Sequence, residues 1–322
     1  MPTDVMRAPG VAKPSPGPNR DREFAFAIPF KPRRACADWG QAQADLRRTI
    51  RSARRAAGSK AVTVAVACHD EPELGDVRGD NVHVLRVPFA EPPDRWEGGR
   101  DKARKRRFVG AWLRQELGGD EVYVMFLDAD DLVHKDILDY VLAHGHGSYV
   151  VDHGYVFDVK AGLLWHRRQG FHQTCGSSFV CRFARDELPS SWEDVDSPFA
   201  QFGASPDQRG HQLYHEVAAE LGRAPAAFPF PAVVYTVNHS ESLWAAKSGG
   251  ARRSSSPRDF VWPAAARRIL GEEFGAPDFA RRLAGVGRVT HAFTRASSAR
   301  LWARIEARRI RGARDGPSPP AG

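Results

Sequence analysis

No stretch of this 322-residue chain is apolar over the length of about 20 residues that a membrane-spanning helix needs. The N-terminal MPTDVMRAPGVAKPSPGPNRDRE lacks the apolar core of a secretory leader, so a cytoplasmic protein is expected. Cysteines are few and well separated (Cys36, Cys68, Cys175, Cys181). They show neither a metal-knuckle spacing nor a secreted disulfide pattern, which points to reduced thiols. Internal repeats are missing, as is any nucleic-acid motif with interleaved aromatics, so no nucleic-acid partner is expected. What is present is an apolar fraction of 42%, enough for a substantial core, and a net charge of +8 that is spread unevenly. Residues 100–107 (RDKARKRR) carry six cations against one anion, and the last forty or so residues are rich in arginine. Such charge suits phosphates or an anionic membrane surface.

Residues 1–22, rich in Pro and Gly, read as a disordered tail. Strands are expected at Phe24–Phe30, Ala61–Cys68, Val82–Val87 and Val122–Leu127. Helices are expected between them at about 40–57, with Leu46, Ile50 and Ala53 on one side, and at about 101–117, with a stripe of Phe108, Val109, Trp112, Leu113 and Leu117. A further helix is expected at about 134–144. This alternation is the pattern of a parallel sheet with helices on both faces. Ser148–Val151, Gly154–Val159 and Leu163–His166 read as an antiparallel addition, followed by a helix at 209–221 and a strand at Ala232–Val237. These boundaries divide the chain into one domain at 23–245, a linker and C-terminal helical extension at 246–312, and a disordered tail at 313–322.

The chemistry concentrates at the end of the fourth strand, where Val122–Leu127 runs into Asp128, Asp130 and Asp131. Ionised carboxylates are costly to bury unpaired, and ligands sit at the carboxyl ends of strands in open α/β sheets. Carboxylate oxygens are hard ligands for Mg²⁺ or Mn²⁺, which keep positions open for phosphate oxygens. Helix capping would account for one of the three, and Asp131 is the one expected to cap the next helix. In RDKARKRR, Asp101 is placed to cap a helix whose first turns carry Lys102, Lys105 and Arg106. Lys102 and Arg106 are the expected phosphate contacts.

FLDADD, followed by Leu132 and a helix, resembles the DxD region of the GT-A glycosyltransferases, family 2 in particular. Ala27-Ile28-Pro29-Phe30 and the helix bearing Leu46, Thr49 and Ser52 are similar to that family's opening strand and helix, and the likeness extends over residues 24–240. It implies an α/β GT-A fold, Rossmann-like, with a mostly parallel central sheet, a small antiparallel addition and C-terminal helices. It also implies a metal-dependent, inverting transfer of a sugar from a nucleotide-diphosphate donor, a UDP-sugar by preference, to a glycan or lipid-linked acceptor. Under the resemblance Asp128 faces the ribose or sugar, and Asp130 holds the Mn²⁺ or Mg²⁺ that bridges the diphosphate. Pro29 and Phe30 lie near the base, with Asp70 of CHDEPE as a further base contact. His239, in YTVNHSESL, resembles the late histidine that completes the metal site in many such enzymes.

The chain departs from that family at the general base. Where relatives carry a Glu-Asp pair, it reads Asp207-Gln208-Arg209-Gly210-His211, so Asp207 or His211 is the candidate base, ahead of Glu193, Asp194 and Asp196. Gly170–Ser178, with Trp165, His166 and His172, offers an acceptor pocket, while His144 and His146 read as loop residues without chemistry. A sugar-nucleotide pyrophosphorylase needs a Gly-rich, Arg-bearing loop after the first strand, which IPFKPRRAC lacks. An aspartyl phosphatase needs its motif on the opening strand. The remaining alternative is a degenerate domain that binds anionic ligands or membrane without catalysis. The arginine-rich C-terminal helix with Leu301, Trp302, Ile305 and Ile310 would suit peripheral contact with the inner face of an anionic membrane.

Overall fold

Along β1 (Arg22–Pro29), large and small side chains alternate: Phe24, Phe26 and Ile28 point to one face, Ala25 and Ala27 to the other. β2 (Thr63–Cys68) repeats the pattern with Val64, Val66 and Cys68 against Ala65 and Ala67. The computed structural model describes residues 22–93, 98–202, 210–241 and 259–283. In it, α1 (Trp39–Ala57) covers the large-residue face. Asp38 caps α1 by accepting from the Gln41 amide at 3.0 Å, and Gly58 ends it at a φ of 57°. The alanine face receives α2 (Gly98–Glu116) through Val109 and Leu113. Four alanines on two central strands leave room for that helix to lie close.

The chain then adds β3 (Val82–Arg86), β4 (Glu121–Phe126), β5 (Leu132–Val133), α3 (Ile137–His144), β6 (Ser148–Val150), β7 (Gly154–Asp158), β8 (Leu163–Arg167), β9 (Phe179–Ala184), α4 (Tyr214–Glu220), β10 (Ala226–Ala227), β11 (Val233–Val237) and β12 (Phe260–Val261). The seven-stranded main sheet has the order β10-β6-β9-β4-β1-β2-β3. β3, β2, β1 and β4 run parallel, as expected, and β9 enters antiparallel to both β4 and β6. The strand order reverses between β1 and β4, so a crevice opens at the carboxyl ends of those two strands, where α/β sheets bind ligands. The expected α/β architecture with a mostly parallel central sheet is present.

The antiparallel addition differs from expectation. Ser148–Val150 belongs to the main sheet, because its partner is β9, a strand that local patterning did not single out. β7 and β8 pair antiparallel in a second sheet of order β12-β8-β7-β11-β5. α5 (Pro263–Arg268), a π-helical turn at Ile269–Glu273 and α6 (Pro277–Arg282) pack on this second sheet. There Ala266, Ile269, Leu270, Phe274 and Phe279 meet Leu132, Tyr155, Phe157, Leu164 and Val234. The helix expected from 209 is described from His211, as a 3-10 turn to Leu213 that continues into α4. The tails and the arginine-rich segment with Leu301, Trp302, Ile305 and Ile310 lie outside the described residues. Among the described residues, no helix is long and apolar enough to cross a membrane.

Gly110 fixes how closely α2 sits. A Cβ there would meet the Pro189 ring at 2.8 Å and the Phe199 ring at 2.9 Å. Gly110→Ala would gain about 1 kcal/mol of helix propensity, but it overpacks a site closed by two rings, at a cost of about 1–3 kcal/mol. The net expectation is a loss of stability, read as a lower urea midpoint with an unchanged slope. A raised midpoint would show that α2 has slack.

Candidate functional site

Asp128 stands two residues past β4, at the mouth of the crevice. Its Oδ1 lies 2.5 Å from Lys102 Nζ and 3.7 Å from Arg106 Nη2, both cations being delivered by the first turns of α2. Burial opposes ionisation of Asp128, but Lys102 and Arg106 outweigh it and lower the carboxyl's pKa. Gly176 makes the close approach possible: a Cβ there would sit 3.0 Å from Asp128 Oδ2 and 3.4 Å from Lys102 Nζ.

Arg106 is almost fully buried. Its guanidinium carbon lies 4.7 Å from the centre of the Phe126 ring, and Nη1 donates to the Tyr214 hydroxyl at 2.6 Å. Nε and Nη2 are buried without a hydrogen-bond partner among the described residues. His211 belongs to the same group. Burial first, then the positive charges of Lys102 and Arg106, push its pKa down to about 4 against the pull of Asp128. The imidazole is therefore neutral near pH 7, and its buried Nε2 also has no hydrogen-bond partner among the described residues. Unpaired buried donors and acceptors are costly and rare. Here they gather around one carboxylate.

Beneath this group, Lys105 is buried and donates to the Phe30 carbonyl at 2.7 Å and to Asp101 Oδ2 at 2.6 Å. Asp101 Oδ1 lies 2.7 Å from His69 Nε2. Burial lowers the Lys105 pKa against the opposing pull of Asp101. Asp101 is therefore no helix cap. α2 begins at Gly98, one turn earlier than the charge pattern implied, and Asp101 turns inward to hold the helix on the ends of β1 and β2.

Asp131 is no cap either, since α3 begins at Ile137 with Asp136 before it. It is fully buried. Its Oδ2 takes the Ser177 hydroxyl at 2.6 Å and the Cys175 thiol at 3.3 Å, and its Oδ1 takes the Thr236 amide at 3.1 Å. Burial, with Asp130 and Asp128 close by, raises its pKa well above the usual carboxylate range. Ser177 also accepts from the Asp128 amide at 2.9 Å, Thr236 Oγ1 donates to the Asp130 carbonyl at 2.6 Å, and Thr49 Oγ1 donates to the Asp131 carbonyl at 2.8 Å. Asp131 is thus the interior anchor that shapes the loop presenting Asp128 and Asp130.

Asp130 faces the other way. Its Oδ2 lies 3.0 Å from His239 Nε2, without the alignment of a hydrogen bond. Burial works against protonation of His239, but Asp130 prevails and its pKa is raised. Among the described residues no three His, Cys, Asp or Glu side chains form a group that could hold a metal ion. Asp130 and His239 offer a two-ligand edge, and buried His239 nitrogens without hydrogen-bond partners are compatible with a cation there. A divalent ion that completes its shell with phosphate and water oxygens needs no more from the protein.

The other expected residues are dispersed. Phe30 is buried, its ring 5.2 Å from that of Trp39, so its side chain belongs to the core. Pro29 closes β1 opposite Ala67. Asp70 accepts from the Arg33 amide at 2.7 Å and ties together the loops that follow β1 and β2. Trp165 packs on Phe260, and His166 on Tyr155, within the second sheet, with His153, just before β7, also against His166. His172 Nδ1 lies 3.3 Å from Asp152, and its ring meets that of His215. Asp194 accepts from the amides of Ser190, Asp196 and Ser197 and shapes its own loop. His144 ends α3 and stacks on Tyr140. Asp207 lies outside the described residues. Sequence reasoning missed Thr236 and Tyr214, and it gave Ser177, within Gly170–Ser178, to an acceptor pocket, whereas the structure bonds it to Asp131 and the Asp128 amide. The only signal was a hydroxyl-bearing side chain, in a strand for Thr236 and at the start of a helix for Tyr214.

No family model matches the sequence, and no curated protein matches it. Among solved structures, the chain overlaps loosely with a proposed nucleotide-diphospho-sugar transferase from Desulfovibrio desulfuricans G20 (11% identity, TM-score 0.33, 77% of this chain and 94% of that one). It also overlaps with HddC from Yersinia pseudotuberculosis (9% identity, TM-score 0.29, 68% of this chain and 90% of that one).

Proposed function

We propose that this chain is a glycosyltransferase of the GT-A type that moves a sugar, with inversion, from a nucleotide-diphosphate donor to a glycan or lipid-linked acceptor. The observation that carries the reading is the group at the β1–β4 crevice. Two cations, one of them a buried arginine with two nitrogens lacking a hydrogen-bond partner among the described residues, share a carboxylate with a neutral histidine whose Nε2 likewise has none. Lys102 and Arg106 would take the diphosphate, exchanging part of their hold on Asp128 for phosphate oxygens. Asp128 would then face the ribose or sugar hydroxyls. Asp130 and His239 would hold Mn²⁺ or Mg²⁺, which when bound supplies further neutralisation of the departing charge.

In the transfer, the acceptor oxygen forms a bond to the anomeric carbon as the carbon–oxygen bond to the diphosphate breaks. The electron pair of that bond leaves with the nucleoside diphosphate. The acceptor's proton passes to a base. His211, through Nε2, suits that role because it is neutral and beside Asp128; Asp207 is the other candidate.

Thermal-shift measurements with nucleoside diphosphates and nucleotide sugars, with and without Mn²⁺, test the reading. One nucleotide, UDP first, is expected to stabilise the chain by about 2.7 kcal/mol when present at a hundredfold over its Kd. The Mn²⁺-dependent part of that shift is expected to vanish in Asp130→Ala. Folded protein that no nucleotide stabilises would overturn it. Stabilisation by unrelated polyanions alone would favour a non-catalytic binding domain.

A further inference from the structure

His239 sits between two carboxylates that reach it from opposite sides. Nε2 lies 3.0 Å from Asp130 Oδ2, and Nδ1 lies 3.7 Å from Asp45 Oδ2 on α1. Both ring nitrogens and Asp45 Oδ2 are buried without a hydrogen-bond partner among the described residues. The other oxygen of Asp45 is fully engaged: Oδ1 accepts from Gln41 Nε2 at 2.8 Å and from Arg48 Nη1 at 2.6 Å. Arg48 is itself fixed. Its Nε donates to Asp278 on α6 at 2.7 Å, and its guanidinium lies 3.9 Å from the centre of the Phe279 ring. Asp45 therefore has one oxygen held by Gln41 and Arg48 of α1, the latter braced by α6, and one left turned toward the imidazole.

We propose that Asp45 is the positioning residue for His239. By accepting the Nδ1 proton it selects the tautomer whose Nε2 lone pair faces Asp130, and it holds the ring there for a divalent cation. The inference rests on the transferase reading of this edge, and it assigns a task to a residue that reading does not use. A ligating imidazole whose second nitrogen donates to a carboxylate is oriented and made more basic. Through Arg48 and Asp278, the α6 segment packed on the second sheet becomes part of the support of this site.

The test is a titration of the full-length chain with Mn²⁺, followed by the electron paramagnetic resonance signal of the free ion, with and without UDP. Asp45→Asn, which also takes a buried charge from Arg48, is expected to weaken Mn²⁺ binding by about 10- to 100-fold in a chain that still unfolds cooperatively, at a lower temperature. Asp278→Asn, which loosens Arg48 without touching the ring, is expected to weaken it by a smaller factor and decides the matter should Asp45→Asn fail to fold. Mn²⁺ affinity within twofold of wild type in the folded Asp45 variant overturns the proposal, as does a wild-type chain that binds no Mn²⁺ in either condition. Calorimetry with UDP in the absence of metal separates the two levels. UDP binding with no effect at Asp45 removes only the positioning role, whereas Mn²⁺ binding that depends on Asp45, with no nucleotide bound, removes the transferase reading and leaves the positioning role standing.

Discussion

Arg106→Met is expected to lower kcat/KM for the nucleotide-sugar donor by about 10²–10³, the usual cost of removing one group that stabilises departing charge. Among the described residues, the guanidinium is the one buried cation of the site with nitrogens lacking a hydrogen-bond partner, so its loss removes charge where solvent does not replace it. Methionine matches the length of the stem and keeps contact with the Phe126 face. Asp128 keeps Lys102 as its partner, so no carboxylate is left buried and unpaired, and a less stable but folded chain is expected. The Tyr214 hydroxyl loses its partner, at about 1–3 kcal/mol. Arg106→Lys restores charge but not the planar fork that serves Tyr214 and Asp128 together, and it is expected to recover only part of the activity. Donor kinetics within threefold of wild type in the methionine variant would remove Arg106 from the site.

His211→Gln is expected to cost about 10²–10⁴ in kcat, the range for losing a positioned general base. The pH profile distinguishes a base from a residue that only packs. Burial and the cations beside it push the His211 pKa down to about 4, so the ring stays neutral down to that pH. The loss of activity that belongs to His211 is therefore expected only as pH drops through about 4, below the earlier loss of Mn²⁺ as His239, whose pKa is raised, takes up a proton. An acid limb at the ordinary value that persists at saturating Mn²⁺ would contradict the environment described for the ring. A glutamine variant with near-normal kcat would pass the role to Asp207.

Stability carries the same sign. The folded chain keeps His211 neutral while the unfolded chain takes up a proton below about 6.5. Folding stability is thus lost as pH falls from about 6.5 toward 4, by up to about 3 kcal/mol from this group. The glutamine variant should be less acid-sensitive over that window, as measured by urea unfolding at several pH values.

Much of the site's frame was legible locally. The apolar run from Val122 followed by carboxylates placed Asp128 at a strand end, and the Lys102/Arg106 spacing put two cations on one face of a helix that begins beside it. Asp131 could not be separated from Asp128 and Asp130 in this way. In sequence the three are equivalent acids, and only Ser177, Cys175 and Thr236, each brought from a distant segment, turn one of them inward. Asp101 was misread for the same reason, because its partner His69 lies 32 residues away.

Hydrophobic period and charge spacing belong to each segment alone, since they follow from the geometry of one helix or strand. By themselves they determined the alternation of β and α, the strand that delivers the acids and the basic helix before it. Tertiary structure decided which strands pair, which acid is anchor and which is site, and which imidazole is neutral and which is held by carboxylates. Those outcomes depend on burial and on partners far apart in the chain. A carboxylate's role is set by what surrounds it once water is excluded, and no local pattern encodes that.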